Sequence, residues 1–140
     1  MAKVSTLLCF DFGLSNIGVA VGNTLTKEAR PLAVLGAQHG KPNWDKVSAL
    51  VNEWLPSVVI VGNPINEGGE STDLSAKAAR FARQLEGRFQ LRVELHDERF
   101  TSKEAKLRAK ETGHRGDYAA VPIDDLAAAI ILESYLTSET

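Results

Sequence analysis

The stretch STLLCFDFG, residues 5–13, decides the fold, because an apolar run ends there in an acidic residue and a glycine. An apolar run of this length predicts a buried strand over residues 5–10. After a short turn, IGVAVG at residues 17–22 predicts a second strand, and a third is predicted over residues 32–35, just after Pro31. Links this short favour three consecutive antiparallel strands.

The rest of the chain alternates between helix and strand patterns. A glycine-rich break at residues 36–42 is followed by a predicted helix from Trp44 to Leu55, which Pro56 ends. Later patterns predict a strand over residues 58–61, a helix over 74–85, a strand over 92–96, a helix over 101–113 and a last helix opening at residue 124. The order β-β-β-α-β-α-β-α-α predicts an α/β fold, with a mixed five-stranded sheet and helices on both faces.

Composition indicates a globular protein with one domain over residues 1–140. Of the 140 residues, 44% are hydrophobic and 24% charged, and no apolar run approaches the ~20 residues of a membrane span. The N-terminal residues lack a signal-peptide pattern, so we expect a cytoplasmic protein without membrane contact. The single cysteine, Cys9, lies in the first apolar run and is expected to be a small buried residue. The net charge of −2 neither indicates nor excludes nucleic-acid binding.

Acidic residues stand where three predicted elements end or begin. Asp11 ends the first strand, Asp97 and Glu98 end the fifth, and Asp124 and Asp125 open the last helix. Any one of these acids alone is typical of a turn or a helix cap. Carboxylates gathered together raise each other's pKa unless a cation neutralises them, and hard divalent ions prefer oxygen ligands. The three positions together therefore predict a site for Mg²⁺ or Mn²⁺.

Four motifs, in order along the chain, resemble those of the YqgF family, whose members are also called RuvX or Holliday junction resolvase-like proteins. They are DFGLSNIGVA at residues 11–20, GNPINEG at 62–68, DERFTS at 97–102 and IDDLAA at 123–128. The resemblance spans nearly the whole chain. It implies an RNase H-like fold related to RuvC resolvase, and nuclease activity toward structured nucleic acid. The implied role is maturation of the 5′ end of the pre-16S ribosomal RNA.

By match to these motifs, the catalytic and metal-binding residues are Asp11, Glu98 and Asp124. Phosphodiester hydrolysis by two metal ions ~4 Å apart requires such a carboxylate set, and Asp11 at a strand end suits the bridging position. Asp125 ranks second to Asp124, because helical geometry turns adjacent residues about 100° apart. Asp97 precedes Glu98 on a strand and should point to the other face, so we expect a structural role for it.

Four further residues are predicted to bind substrate: Asn63, Lys77, Arg80 and Arg99. Lys77 and Arg80 belong to a basic stripe on the second predicted helix, and Arg99 adjoins Glu98. Such stripes are usually solvated helix faces, but beside a nuclease site they become candidates for phosphate contacts.

The chain departs from the family pattern in two places. Ser15 and Asn16 stand where basic residues are frequent, and the loop at residues 116–120 is nearly free of positive charge. These departures leave the carboxylates in place and put the mode of substrate binding in question.

Three alternatives remain open at the level of sequence. A Holliday junction resolvase would act on branched DNA and would need two coordinated sites, hence a homodimer. A processing nuclease could instead be a monomer. A nucleic-acid-binding factor in transcription or ribosome assembly would fit the acidic balance without cleaving anything. Asp11 and Gly13 followed by a strand also resemble the phosphate loop of actin-like ATPases, which need a second domain of the same kind.

Overall fold

A mixed sheet with helices on both faces forms the described part of the protein. The structure is a computed structural model and describes residues 5–63, 72–97 and 124–138. Its elements, in chain order, are β1 (Thr6–Asp11), β2 (Asn16–Asn23), β3 (Ala29–Gln38), β4 (Lys41–Pro42), α1 (Trp44–Trp54), β5 (Val58–Asn63), α2 (Asp73–Phe89), β6 (Arg92–Asp97) and α3 (Asp124–Ser138). Within those ranges, no helix is long and apolar enough to cross a lipid bilayer.

The sheet has the spatial order β4-β3-β2-β1-β5-β6. The first four strands pair antiparallel, whereas β5 pairs parallel with both β1 and β6. β1 thus lies inside the sheet, where antiparallel and parallel pairing meet. Apart from the additional strand β4, the predicted element order is confirmed over the described ranges, while the helix predicted over residues 101–113 lies outside them.

The predicted count of five strands was one too few, because β3 continues into a hairpin. β3 is ten residues long, and Pro31 lies within it, opposite Ala20, where the register shifts between Val19 and Ala20. Such an irregularity tolerates a proline, which lacks an N–H for the ladder. His39 and Gly40 both have positive φ, 53° and 82°, as a type I′ turn requires, and this turn leads into β4.

Local capping explains where two helices begin and end. The Asn43 side chain accepts a hydrogen bond from the Asp45 N–H at 2.9 Å and starts α1. Thr72 and Ser75 form a reciprocal capping box at the start of α2. Leu55 and Gln90 adopt the left-handed conformation that closes α1 and α2, so α1 ends just before Pro56 as predicted.

Alternation along β1 divides the core into two layers. Leu8 and Phe10 belong to the cluster that α1 and α2 cover, together with Phe81. Leu7 and Cys9 belong to the cluster that α3 covers. Cys9 is fully buried there, which confirms the expectation of a small buried residue.

Candidate active site

The ends of three neighbouring strands form one edge of the sheet. Asp11, Asn63 and Asp97 are the last residues of β1, β5 and β6, and these strands run parallel to one another. Phe10 is level with Val61, and Asn63 is level with Asp97. In open α/β sheets, ligands bind at the carboxyl ends of the strands. The structure therefore places Asp11 and Asn63 at the edge where a site was predicted.

Asp11 lies on the face of the sheet that α3 covers. The two-residue period of a strand puts it on the same side as Leu7 and Cys9, which pack against that helix. Asp11 is half-buried and lies level with Gly18 of β2. α3 begins at Asp124, whose side chain lies outside the described structure. The helix that begins at Asp124, another predicted metal ligand, thus packs on the face that carries Asp11.

Two hydrogen bonds join β6 to α3 on this same face. The Tyr135 hydroxyl donates to Glu94 Oε2 at 2.6 Å, and His96 Nε2 lies 3.1 Å from Ser134 Oγ. The rings of His96 and Tyr135 also meet edge to face, with centroids 5.7 Å apart. These contacts fix the strand that leads to Glu98 against the helix that begins at Asp124.

Three of the predicted substrate residues lie on the side of the sheet that α1 and α2 cover, opposite the Asp11 face. Asn63 shares its parity with Val59 and Val61, which belong to the core layer under α1 and α2. Lys77 and Arg80 are exposed on the outer surface of α2. At 1.5 Å per residue they lie about 6 and 10 Å along the axis from the start of α2. As the crossover helix between parallel β5 and β6, α2 begins on the side of the carboxyl end of β5. The structure thus separates these three residues from the Asp11 face, while keeping them near the same edge.

The described residues alone do not assemble the predicted metal site. Among residues 5–63, 72–97 and 124–138, no three histidine, cysteine or acidic side chains lie close enough to hold an ion. Two of the predicted residues, Glu98 and Arg99, lie outside those ranges. Asp125 accepts a hydrogen bond from the Leu126 N–H at 2.9 Å through Oδ1, so one of its oxygens is engaged at the start of the helix.

The loop after Asp11 is tied to the β3–β4 hairpin, which sequence reasoning missed. The Ala37 N–H donates to the Ser15 carbonyl at 2.8 Å, and the Gly40 N–H donates to the Leu14 carbonyl at 2.9 Å. A Cβ at Gly40 would lie 2.7 Å from Cζ of Phe12, so a glycine is required there. The dipeptide His39-Gly40 between two extended segments was the available signal, a weaker one than Asn-Gly.

Glycine at position 13 lets the chain turn back immediately after Asp11. A Cβ there would collide with the carbonyl oxygen of Asn16, the first residue of β2. Only a residue without a side chain fits so close an approach. The tight turn holds β2 beside β1 right up to the acidic residue.

A groove of about 380 Å³ lies at the opposite end of the sheet. It is lined by residues that include Asn23, Glu28, Arg30 and Trp54. Because Asn23 is level with Thr6 at the start of β1, the full length of that strand separates this groove from Asp11. We therefore do not assign it to the candidate active site.

Sequence comparison matches this chain to one family over almost its whole length. A family model described as "RuvX: Holliday junction resolvase" matches residues 5–138. A protein of Pseudomonas savastanoi pv. phaseolicola named "Putative pre-16S rRNA nuclease" is 48% identical over 137 residues, which cover 97% of this chain and 94% of the relative. A relative of the same name from Azotobacter vinelandii is 50% identical over 136 residues, covering 97% and 96%.

Solved structures with a similar fold are Holliday junction resolvases. The fowlpox virus Holliday junction resolvase superposes with a TM-score of 0.58 at 17% identity, covering 96% of this chain and 99% of that one. RuvC of T. thermophilus, solved in complex with a Holliday junction substrate, gives a TM-score of 0.56 at 16% identity, covering 96% and 95%. These likenesses concern the fold alone, and they confirm the RuvC-like fold expected from the sequence.

Proposed function

This chain belongs to the RuvX family, and we propose that it is a divalent-metal-dependent nuclease that processes the 5′ end of the pre-16S ribosomal RNA. The observation that carries the proposal is the position of Asp11, at the carboxyl end of an interior strand and on the face covered by α3. A carboxylate in that position is held by the sheet on both sides and faces the edge where ligands bind. The names of the relatives supply the substrate.

The metal ligands in this proposal are Asp11, Glu98 and Asp124. The parity of β6 supports this choice, because a strand that places Glu94 and His96 on the α3 face predicts position 98 on that face too. Asp97 lies one residue out of phase with Glu94 and His96 and therefore on the opposite face of β6, which supports leaving it out of the metal ligands. One or two Mg²⁺ or Mn²⁺ ions bound there would supply an activated water and neutralise charge on the phosphate. The donor set, all carboxylate oxygens, suits these ions.

Substrate binding in this proposal uses the other side of the edge. Lys77 and Arg80 on the exposed face of α2 would contact phosphates flanking the cleaved bond, and the Asn63 amide would hydrogen-bond the backbone. Arg99 completes the set as a phosphate contact. A nucleic acid that lies across the strand ends reaches both faces of the sheet. The acids on the Asp11 face would then cleave the phosphodiester bond, while the basic surface of α2 would bind the flanking backbone.

The test is cleavage of a pre-16S RNA fragment beside a synthetic four-way DNA junction, each with and without Mn²⁺. We expect ion-dependent cleavage of the RNA at or near the mature 5′ end, and at least about 100-fold slower product formation with Asp11→Asn. If the wild-type protein formed no more product than Asp11→Asn, the result would contradict a nuclease and favour a non-catalytic binding factor.

Resolution of Holliday junctions is the second candidate, since the matching family model carries that description. Junction resolution needs two coordinated active sites and hence a homodimer, whereas end processing proceeds with a monomer. This candidate would be selected if a dimer in solution nicked the DNA junction symmetrically and left the RNA intact. For either activity we propose a cytoplasmic location.

A further inference from the structure

We propose that the tip of the β3–β4 hairpin, residues 38–41, is a substrate-binding element that contacts the nucleic-acid backbone through Lys41. This inference rests on the proposed nuclease function and adds to it a contact on the β3 side of Asp11. The ligand is a phosphodiester backbone, recognised by its charge and without regard to base sequence.

The hairpin tip is built rigidly. Residues 39 and 40 form the type I′ turn, and Gln38 pairs with Lys41 across it. His39 has a Cβ and still adopts φ 53°, a conformation that most side chains avoid, so the surrounding contacts must hold it there. Because the backbone of the tip is already ordered, binding a ligand there costs little backbone freedom.

The tip lies close to the candidate active site. The Gly40 N–H is 2.9 Å from the carbonyl oxygen of Leu14, the third residue after Asp11. Three residues span at most about 11 Å, so the turn lies within roughly 15 Å of the Asp11 backbone. Along a duplex strand, where one phosphate recurs per ~3.4 Å of axis, that distance corresponds to about four phosphates. A substrate whose cleaved bond lies at Asp11 therefore extends to the hairpin.

The charge of the tip is available for an external partner. Lys41 is exposed, and among the described residues its ammonium group makes no ion pair with a carboxylate. The loop at residues 12–16 contains no basic residue, so Lys41 is the positive charge that the hairpin brings beside that loop. A flexible, strongly hydrated ammonium group suits a phosphate contact that carries no sequence information.

The test compares Lys41→Ala, Lys41→Glu and Lys41→Arg with Lys27→Ala, and cleavage of the pre-16S RNA fragment is the readout. Lys27 is another exposed lysine, in the β2–β3 turn at the opposite end of the sheet. We expect Lys41→Ala to raise KM about threefold to tenfold. The slope of log affinity against log salt concentration should become shallower by nearly one, since one phosphate contact is lost. Lys41→Glu should raise KM further, Lys41→Arg should restore it, and Lys27→Ala should leave it unchanged.

Binding of the same RNA is also measured by fluorescence anisotropy in the Asp11→Asn background, where no cleavage interferes. Wild-type cleavage with a KM and salt dependence unaffected by all three Lys41 variants would overturn the role of the hairpin and leave the proposed function standing. Equal losses in Lys41→Ala and Lys27→Ala would also overturn it, since they would reflect net charge alone. Absence of wild-type cleavage on every substrate would overturn both proposals together.

Discussion

The two faces of the sheet are filled by side chains of different size. Under α1 and α2 the core is aromatic: the Phe81 ring lies 5.7 Å from Phe10, 5.3 Å from Phe12 and 5.7 Å from Trp44, centroid to centroid. Under α3 the described core has no fully buried aromatic ring and includes four small residues, Cys9, Ala20, Ala128 and Ala129, beside leucines and isoleucines. The aromatic face holds two helices on bulky side chains, whereas the small-residue face lets one helix approach the strands closely.

The close approach of α3 has a functional consequence. A Cβ at Gly22 would lie 3.1 Å from Leu132 and 3.2 Å from Leu136, so the helix rests almost on the backbone of β2. That helix begins at Asp124 and covers the face of Asp11. The small-residue face thus serves the proposed metal site, and the aromatic face serves stability and carries the basic surface of α2. Each of the following variants tests one side of this division.

Asp11→Asn should have the largest effect, because it removes a proposed metal ligand from the small-residue face. We expect the cleavage rate to fall about 10²–10³-fold or more, measured as initial rate at saturating Mn²⁺. The melting temperature should stay equal or rise, because one charge is removed from a cluster of like charges. Glu98→Gln and Asp124→Asn should behave in the same way.

Asp97→Asn is the matched control at the same edge, since it changes an acid of opposite parity. It should retain cleavage. A loss as large as that of Asp11→Asn would show that the two faces do not divide the chemistry as proposed. An Asp124→Asn enzyme with a near-normal rate would instead move the ligand to Asp125.

Phe81→Ala should cause the largest loss of stability, because it empties the centre of the aromatic face. Phe81 is 1% exposed and contacts three aromatic rings. We expect a loss of about 3–5 kcal/mol in the free energy of unfolding, measured by urea denaturation. A loss below about 1 kcal/mol would contradict the tight packing described for this face.

Gly22→Ala tests the close packing of the opposite face. The added Cβ would lie 2.7 Å from the carbonyl oxygen of Glu28 as well as against the two leucines of α3. We expect a loss of about 1–3 kcal/mol in urea denaturation, together with weaker Mn²⁺ activation if α3 shifts.

Gly87→Ala is the control for Gly22→Ala, since a Cβ at that helical position meets nothing within 4 Å. It should stabilise the protein by about 0.5–1 kcal/mol. If both substitutions stabilised to the same extent, α3 would not depend on a glycine beneath it.

Lys77→Ala with Arg80→Ala should have the smallest effect, because both residues are exposed and outside the core. We expect the slope of log affinity against log salt to fall by about 1.5 for loss of two phosphate contacts. The melting temperature should not change. If the double variant bound RNA with the same affinity and salt dependence as Lys27→Ala, the basic stripe of α2 would be an ordinary solvated surface.

Much of the fold was predictable because its signals are local. Continuous apolar runs marked β1, β2 and β5, and the helical spacing of apolar residues marked α1 and α2. The β3–β4 hairpin was missed because the glycine-rich segment at residues 36–42 suggested a break, and because a tertiary contact with Leu14 stabilises the turn. Gly22 was predicted to lie in the second strand, but no local pattern indicated that a glycine there allows α3 to pack. That requirement depends on a helix more than 100 residues later in the chain.

The position of Asp11 at the sheet edge was predictable, but the division of the candidate site residues between the two faces of the sheet was not. The end of an apolar run suffices to place Asp11 at a sheet edge. Assigning Asn63 to the opposite face required the position of each helix relative to the sheet, which no local pattern of residues specifies.

The shortness of β4 also bears on how molecules of this protein meet one another. An outermost strand offers unpaired N–H and carbonyl groups, which a second molecule could use to extend the sheet. Here that strand has only two residues, a lysine and a proline, so it offers charge and lacks one of the N–H groups. Strand addition to β4 itself is therefore disfavoured. β4 covers only Ala37 and Gln38, so among the described residues β3 from Ala29 to Gly36 is the edge through which a second molecule would extend the sheet.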